Sequence, residues 1–236
     1  MLTALLVGVA FSGVAMAQGF FRLPLPPQPT APPPSVSSTP DAKTRFWMLD
    51  KDMVWEIGNT GDFITIPSGF VTDYASIPQG LWSFGLSPFD QYSRAAVIHD
   101  YLYWTQVCTK PQSDRLLLIS MKESDVGKFD ELAVYNGVVL GGQSSWDRNS
   151  KELQDGWPRI APVGKRQLPP NGLWGAHRER LRSEGVRDPE FSKNPSFCKY
   201  GDSSDVPNIA GKPKSIKESA IKYSEISQVG KEKLSK

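Results

Sequence analysis

The residues of this chain best suited to chemistry stand around His99, the first of only two histidines. Asp100 follows it directly inside an apolar run, while Asp73 lies upstream and Asp114 downstream. An imidazole oriented by a carboxylate can act as a general base near neutral pH. One histidine with two or three aspartates would equally suit a divalent metal that activates water. These residues therefore predict a hydrolytic His/Asp site whose cofactor is unknown.

Two predicted helices must position the central pair of this site. The run Tyr92 to Trp104 repeats apolar residues at helical spacing, and His99 falls on that stripe, so its imidazole is expected to point inward. A further helix is expected from residue 111 or 113 through residue 121, with Asp114 in its first turn. If the chain reverses direction between these helices, Asp114 approaches His99.

Short runs rich in aromatic and β-branched residues predict strands ahead of the helices. They cover Phe46 to Leu49, Met53 to Ile57 and Phe63 to Ile66, and a short strand over Phe70 to Thr72 would deliver Asp73 to its end. Two further helices are expected, over Pro78 to Trp82 and Lys128 to Leu140. The predicted fold class is α+β, a small antiparallel β-meander packed with three to four helices and flanked by low-order segments.

The flanks of the predicted domain, residues 44–148, differ from it in composition. Residues 1–17 are apolar and end in Ala15-Met16-Ala17, the pattern of a signal peptide cleaved before Gln18. A proline-rich linker is expected over 18–43, an irregular extension over 149–210 and a lysine-rich disordered tail over 211–236. The protein is therefore expected to be exported, periplasmic or secreted. The alternative is anchoring through a retained N-terminal segment, the one route to membrane contact that the sequence predicts.

Charge and cysteine content narrow the classes of partner. The net charge is +2, but residues 212–236 alone hold seven Lys against three Glu, a net of +4, which leaves about −2 elsewhere. No basic stripe interleaved with aromatics occurs centrally, so nucleic acid is not an expected partner. Cys108 and Cys198 are compatible with one disulfide or with two separate thiols, and they lack Cys-x-x-Cys spacing. His177 lies in a polar flank and is expected to be exposed.

Three motifs together resemble a family found in phages and bacteria and catalogued as a domain of unknown function. They are Gly69-Phe-Val-Thr-Asp-Tyr-Ala-Ser-Ile-Pro78, Arg94-Ala-Ala-Val-Ile-His-Asp-Tyr-Leu-Tyr103 and Ser113-Asp114. Ser113 stands where that family often carries Ala. The resemblance covers about residues 46–146 and implies the domain without an activity. The predicted export signal, linker and C-terminal flank are atypical of the family.

Two enzyme classes share parts of the second motif. His99-Asp100-x-x-Tyr103 resembles the His-Asp helix of secreted phospholipases A2, in which the histidine activates water and the adjacent aspartate helps to bind calcium. The glycine-rich calcium loop and the dense disulfides of those enzymes are absent from this sequence. The run before Asp100 also resembles the central motif of HD-type metal phosphohydrolases, but the second histidine here, His177, lies downstream instead of upstream.

The sequence leaves three functional classes open. One is an exported hydrolase acting on a cell-envelope component, lipid or peptidoglycan, with or without a divalent metal; it predicts a cleft that brings His99 to solvent. Another is a non-catalytic, phage-derived binding or assembly module, in which Asp114 favours a helix N-terminus, Asp73 caps a turn, and His99 and Asp100 are buried in a structural network. The third is a membrane-tethered structural protein. The expected partners are cell-envelope or phage components, and the oligomeric state is unknown.

Overall fold

A computed structural model describes residues 36–39, 46–58, 60–74, 93–124, 126–168 and 173–207. Four predictions lie outside these ranges: the signal peptide, most of the proline-rich linker, the helix over Pro78 to Trp82 and the lysine-rich tail. Within the described ranges, no helix is both long and apolar enough to cross a membrane.

The strands form two small antiparallel sheets. A three-stranded sheet has the order β1 (Val36–Thr39), β2 (Phe46–Leu49) and β5 (Val71–Thr72), and a hairpin joins β3 (Met53–Glu56) to β4 (Phe63–Ile66). β3 alternates buried and half-buried residues, as a strand covered on one face must. β1 lies inside the segment that the sequence predicts as linker, and it pairs antiparallel with the next strand of the chain, β2, with Thr39 opposite Phe46.

Six helices follow the strands in the described chain, and the predicted α+β class is confirmed. They are α1 (Ser93–Thr105), α2 (Lys110–Glu123), α3 (Lys128–Gly141), α4 (Gln143–Gln154) and α5 (Trp174–Ser183), followed by a 3-10 helix (Ser196–Asp202). α2 begins one residue before Pro111 because Thr109 forms a capping box with Gln112, in which each residue bonds the other's backbone N–H.

α1 is the central element, because most of its side chains are buried. One side packs in a core with both sheets, through residues such as Ala96 and Leu102. Ala95 on the other side packs with Val134 and Val138 of α3. A loop of four residues, 106–109, turns the chain from α1 into α2, so the two helices run side by side as the site requires.

The chain after residue 149 packs onto this core. Phe70 forms an isolated β-bridge with Ile160, and the Arg159 carbonyl accepts the Val71 N–H at 2.9 Å. A disulfide joins Cys108, in the α1–α2 loop, to Cys198 in the 3-10 helix, with the Cα atoms 5.4 Å apart. The extension thereby covers both the strand end that carries Asp73 and the loop between the two helices of the site.

Candidate functional site

His99 and Asp114 meet in the buried space between α1 and α2. The imidazole Nε2 lies 2.9 Å from Asp114 Oδ1, and the two residues are 1% and 2% exposed. The inward stripe of α1 places His99 at this interface, and the reversal through the α1–α2 loop places Asp114 opposite it. The structure thus brings together the two residues that the sequence predicts as partners.

Two further donors converge on the Asp114 carboxylate. The Tyr103 hydroxyl, one turn after His99 on α1, donates to Oδ1 at 2.6 Å. The Lys110 ammonium, one turn before Asp114 on α2, donates to Oδ2 at 2.8 Å and to the Val138 carbonyl at 3.2 Å. These four side chains, His99, Tyr103, Lys110 and Asp114, are called the Asp114 network below.

The surroundings of Asp114 favour its ionised form. Burial alone would raise the pKa of this carboxyl, but the bond and charge of His99, with the bonds from Lys110 and Tyr103, outweigh it and leave the pKa below its ordinary value. Burial, and then the bond to Asp114, raises the pKa of the Tyr103 hydroxyl. The network therefore holds a carboxylate that orients the imidazole through Nε2.

Asp100 belongs to a second group of contacts, at the end of β5. Its Oδ2 accepts a hydrogen bond of 2.5 Å from the Thr72 hydroxyl, and Asp100 is 6% exposed. The Thr72 hydroxyl oxygen in turn accepts the Tyr74 N–H at 3.2 Å. Tyr74 has a positive φ of 49°, a conformation that is uncommon for a bulky residue and that the surrounding packing must hold. Burial, followed by the negative charge of Asp100, raises the pKa of the Tyr74 hydroxyl.

Asp73 is joined to the C-terminal extension. Its Oδ1 lies 3.5 Å from Arg159 Nη2, and the two side chains are 15% and 11% exposed. The same guanidinium donates to the Val71 carbonyl at 2.8 Å and to Asn149 Oδ1 at 3.3 Å. The described ion pair of Asp73 is therefore with Arg159, and its described contacts do not include the Asp114 network.

His177 is buried, and the prediction that it is exposed is wrong. It is 2% exposed on α5, where Nε2 lies 2.8 Å from the Lys165 carbonyl and Nδ1 lies 2.9 Å from Arg180 Nη2. This geometry fits a neutral imidazole that donates from Nε2 and accepts at Nδ1. Burial lowers its pKa, and the positive charge of Arg180 lowers it as well. His177 serves the packing of the extension.

The described acidic and histidine residues do not gather into a metal centre. Over the ranges that the structure describes, no group of three or more His, Cys, Asp or Glu side chains is placed to hold a metal ion. Asp114 uses its oxygens for three donors, and Asp100 Oδ2 is used by Thr72. We therefore assign no metal ligands among the described residues.

Sequence reasoning missed several residues that complete the site. Lys110 and Tyr103 carried a usable signal, since each lies four residues from a predicted partner and side chains at that spacing share a helix face. Arg159 carried none, because it follows Asp73 by 86 positions and reaches it only through the fold of the extension.

Comparison with known proteins supports the assignment to a domain of unknown function. Residues 47–138 match the family described as "Protein of unknown function (DUF1353)". The chain is also similar to "Uncharacterized protein y4jT" of Sinorhizobium fredii, with 32% identity over 102 residues, which is 43% of this chain. The match spans only 30% of that protein. No solved structure matches the chain significantly.

Proposed function

We propose that this protein is a small hydrolase that cleaves an ester in a cell-envelope component, with His99 as its general base. The observation that carries the proposal is the 2.9 Å contact between His99 Nε2 and a carboxylate, Asp114, that Tyr103 and Lys110 also bind. A carboxylate that holds one imidazole nitrogen fixes the ring orientation and stabilises the imidazolium that forms when the other nitrogen takes a proton.

The proposed step needs no group beyond water and the ester. In this step the His99 imidazole takes a proton from water while the water oxygen bonds to the ester carbonyl carbon. The tetrahedral intermediate then breaks its bond to the alcohol oxygen, which receives the proton from the imidazolium and leaves. Asp114 stays ionised throughout, because Lys110 and Tyr103 donate to it in every state. The products are a carboxylic acid and an alcohol.

Envelope lipid is the favoured substrate class for this ester cleavage. Peptidoglycan is the other class, and there the bond cleaved would be an amide or glycosidic bond in place of an ester. The likeness of His99-Asp100-x-x-Tyr103 to the His-Asp helix of secreted phospholipases A2 supports a lipid ester. By that likeness Asp100 would contact calcium, which takes six to eight oxygen ligands. The described surroundings of Asp100 supply the Thr72 hydroxyl, and the described residues form no three-ligand group, so no step is derived through a metal.

Burial supports a second candidate, a non-catalytic binding or assembly module. His99 is 1% and Asp114 2% exposed, so the structure does not bring His99 to solvent as the hydrolase class predicts, and this burial suits a structural network inside the core. In that case the network stabilises the packing of α1 on α2, and the function lies on the protein surface. Catalysis and structure make opposite predictions for a His99 variant that still folds.

Export is also part of the proposal. The disulfide between Cys108 and Cys198 supports it, because disulfides persist in oxidising compartments and are rare in the cytosol. Intact-mass analysis of the protein recovered from the periplasm or medium should give a mature N-terminus at Gln18. A product that retains residues 1–17 in the membrane fraction would support the anchored alternative.

The deciding experiment compares His99→Asn with His177→Asn. Both substitutions remove a buried, hydrogen-bonded imidazole, so both should destabilise the fold, but only His99 lies in the Asp114 network. We expect His99→Asn to lower ester hydrolysis by about a hundredfold or more, the usual contribution of a general base, while His177→Asn leaves it near the wild-type rate.

Hydrolysis is measured as fatty-acid release from phospholipid vesicles and as clearing of peptidoglycan suspensions, each with added calcium and with chelator. Circular dichroism at the assay temperature confirms that both variants are folded. If the wild-type protein hydrolyses neither substrate in any of these conditions, or if both variants lose activity equally, the enzyme proposal is wrong and the structural network stands.

A further inference from the structure

One side of α3 is apolar and open to solvent. Phe129, Leu132, Val139 and Leu140 are 75%, 59%, 42% and 85% exposed, and Asn136 among them is exposed as well. At 3.6 residues per turn these five side chains fall on one stripe that covers about 100° of the helix circumference. They are called the α3 outer face below.

α3 is thus apolar on two opposite sides. On its inner side Val134 and Val138 are buried, and they pack with residues of α1 and α2. A helix that is apolar all round is normally buried, and a contiguous exposed apolar patch marks a site of interaction. We therefore expect the α3 outer face to be covered in the working protein.

The spacing of the outer residues indicates that the covering element is another helix. Spacings of three, four and three positions separate Phe129, Leu132, Asn136 and Val139. This is the alternation of the a and d positions of a heptad, whose side chains enter the gaps of a second helix at a small crossing angle. We propose that the occupant is α3 of a second copy of this chain, which lies parallel to the first across a two-fold axis.

The charges around the face permit it to meet its own copy. Residues 132–142 contain no charged side chain. At the start of the helix, Lys128 lies 3.3 Å from Glu131, and Asp130 stands about 100° round the helix from Phe129, outside the stripe. Two copies of the face therefore meet without opposing like charges, whereas a strongly acidic or basic partner would find no opposite charge along it.

Asn136, which stands at an a position, selects the parallel arrangement. In a parallel pair each a position faces the same position of the partner, so the two Asn136 amides meet and can form a hydrogen bond. In an antiparallel pair the a positions face d positions, so the amide would be buried against Leu132 or Val139. A buried amide without a partner destabilises the pair. A single asparagine at an a position thereby fixes both the register and the two-chain state.

The exposed area fits a dimer of modest affinity. Four apolar side chains with these exposures hold on the order of 400 Å² per copy, within the range of patches that mark interaction sites. A pair would bury about 800 Å² there, and the polar rim brings the total towards about 1,200 Å², the lower end for specific interfaces. Its inner side already holds α3 in place, so association orders no new helix. The dimer forms without substrate, and it stands or fails separately from the hydrolysis proposed above.

The test is sedimentation velocity of the full-length, disulfide-bonded protein at about 1 to 100 μM, the range in which a small interface dissociates. Asn136→Asp and Asn136→Lys place opposite charges at the centre of the face. Phe129→Ser/Leu140→Ser removes its two most exposed apolar side chains. Gln154→Asp is the matched control, because Gln154 is also an exposed amide on a helix, α4.

Wild type and Gln154→Asp should form dimers. Asn136→Asp and Asn136→Lys should each weaken the dimer by about tenfold or more, because like charges then face each other across the axis. An equimolar mixture of these two variants should dimerise again, since opposite charges then meet. The double serine variant should bind its own copy about tenfold or more weakly, because less apolar surface is buried.

Three results would overturn the proposal. The first is a wild type that stays monomeric over the whole range, even if it binds phospholipid vesicles or another protein. The second is a dimer that neither the charge variants nor the double serine variant weakens, because the interface then lies elsewhere. The third is a mixture of Asn136→Asp and Asn136→Lys that fails to dimerise, because the two Asn136 positions then do not face each other.

Discussion

Replacing Asp114 with Asn should destabilise the fold by about 3 to 5 kcal/mol, the usual cost of breaking a buried ion pair by removing one partner. The substitution keeps the size of the side chain but removes its charge. The asparagine amide has one oxygen that can accept hydrogen bonds. Its NH2 group would face side chains that also donate, so those contacts would be lost. The Lys110 ammonium, whose side chain is 12% exposed, would lose its described carboxylate partner.

The contacts of the Asp114 carboxylate show why the expected loss of unfolding free energy is of this size. Three donors reach the carboxylate, at 2.9, 2.6 and 2.8 Å. Hydrogen bonds to a charged group contribute about 1.5 to 3 kcal/mol each, so a simple sum would exceed the cost of one buried pair. Contributions within one network are not additive, and Lys110 keeps its bond to the Val138 carbonyl. The loss should therefore fall near the lower part of that sum.

The assay is urea unfolding followed by tryptophan fluorescence at pH 7, with Asp155→Asn as the matched control. Asp155 also pairs with a lysine four positions away, Lys151, but these side chains are 45% and 79% exposed. An exposed pair of this kind contributes at most about 1 kcal/mol. Asp155→Asn should thus leave the free energy of unfolding nearly unchanged while Asp114→Asn lowers it strongly.

The pH dependence of the free energy of unfolding tests independently whether ionised Asp114 stabilises the fold. The pKa of Asp114 lies below its ordinary value of 3.8 in the folded chain, so the folded state binds fewer protons than the unfolded state. The stability that Asp114 contributes is present above pH 3.8 and disappears as the pH falls through the folded-state pKa. The reasoning is refuted if Asp114→Asn lowers the free energy of unfolding no more than Asp155→Asn does. It is also refuted if the stability difference between wild type and Asp114→Asn stays unchanged at pH values below the folded-state pKa of Asp114.

Two further predictions concern groups outside the network. Burial raises the pKa of Glu123 to about 7, even though Trp55 and the Gly58 N–H both donate to its carboxylate at 2.6 Å. Between pH 4.5 and 7 the folded state therefore binds more protons at Glu123 than the unfolded state does. The free energy of unfolding of the wild type should fall by roughly 3 kcal/mol as the pH rises through this interval. Urea unfolding at several pH values should show that Glu123→Gln removes this pH dependence. A Cys108→Ala/Cys198→Ala variant opens a loop with a sequence separation of 90 residues and should lose about 2 to 5 kcal/mol of unfolding free energy. Wild type with the disulfide reduced should have the same free energy of unfolding as this variant in the same assay. A loss of unfolding free energy below about 1 kcal/mol in the variant would contradict the prediction.

The sequence predicts well those helices and strands in which apolar residues recur at regular helical or strand spacing. The predicted helix over Tyr92 to Trp104 corresponds to α1, Ser93–Thr105, and the one over Lys128 to Leu140 to α3, Lys128–Gly141. A buried apolar stripe specifies such helices locally. The strand over Phe63 to Ile66 is found as predicted for the same reason, with buried and exposed residues in alternation.

The elements that escape prediction depend on partners distant in the sequence. α4, Gln143–Gln154, has too few apolar residues for a stripe, and it is held by contacts such as Gln106 Nε2 to the Trp146 carbonyl at 2.9 Å. The pairing of β2 with β5 joins strands that the β3–β4 hairpin separates. No local pattern encodes which strands become neighbours.

The site was predicted in part. The helical stripe gives the direction of His99, and the helix reversal makes Asp114 its expected neighbour. Asp100 cannot be placed in the same way, because it stands about 100° further round α1 than His99 and so faces another set of neighbours. Its bond to the Thr72 hydroxyl depends on the end of β5, a strand of two residues whose position no sequence period determines.

The extension belongs to the same folding unit as the matched domain. The family match ends at residue 138, yet the carboxylate of Asp73 pairs with Arg159, and the Trp104 indole donates to Asp188 at 2.6 Å. Asp188 also accepts the backbone N–H groups of Arg159 and Ile160, at 2.9 and 3.0 Å. A fragment that stops near residue 148 would remove these partners and would expose Trp104, which is fully buried in the intact chain. Residues 149–168 and 173–207 therefore complete the core beneath the strand end that carries Asp73.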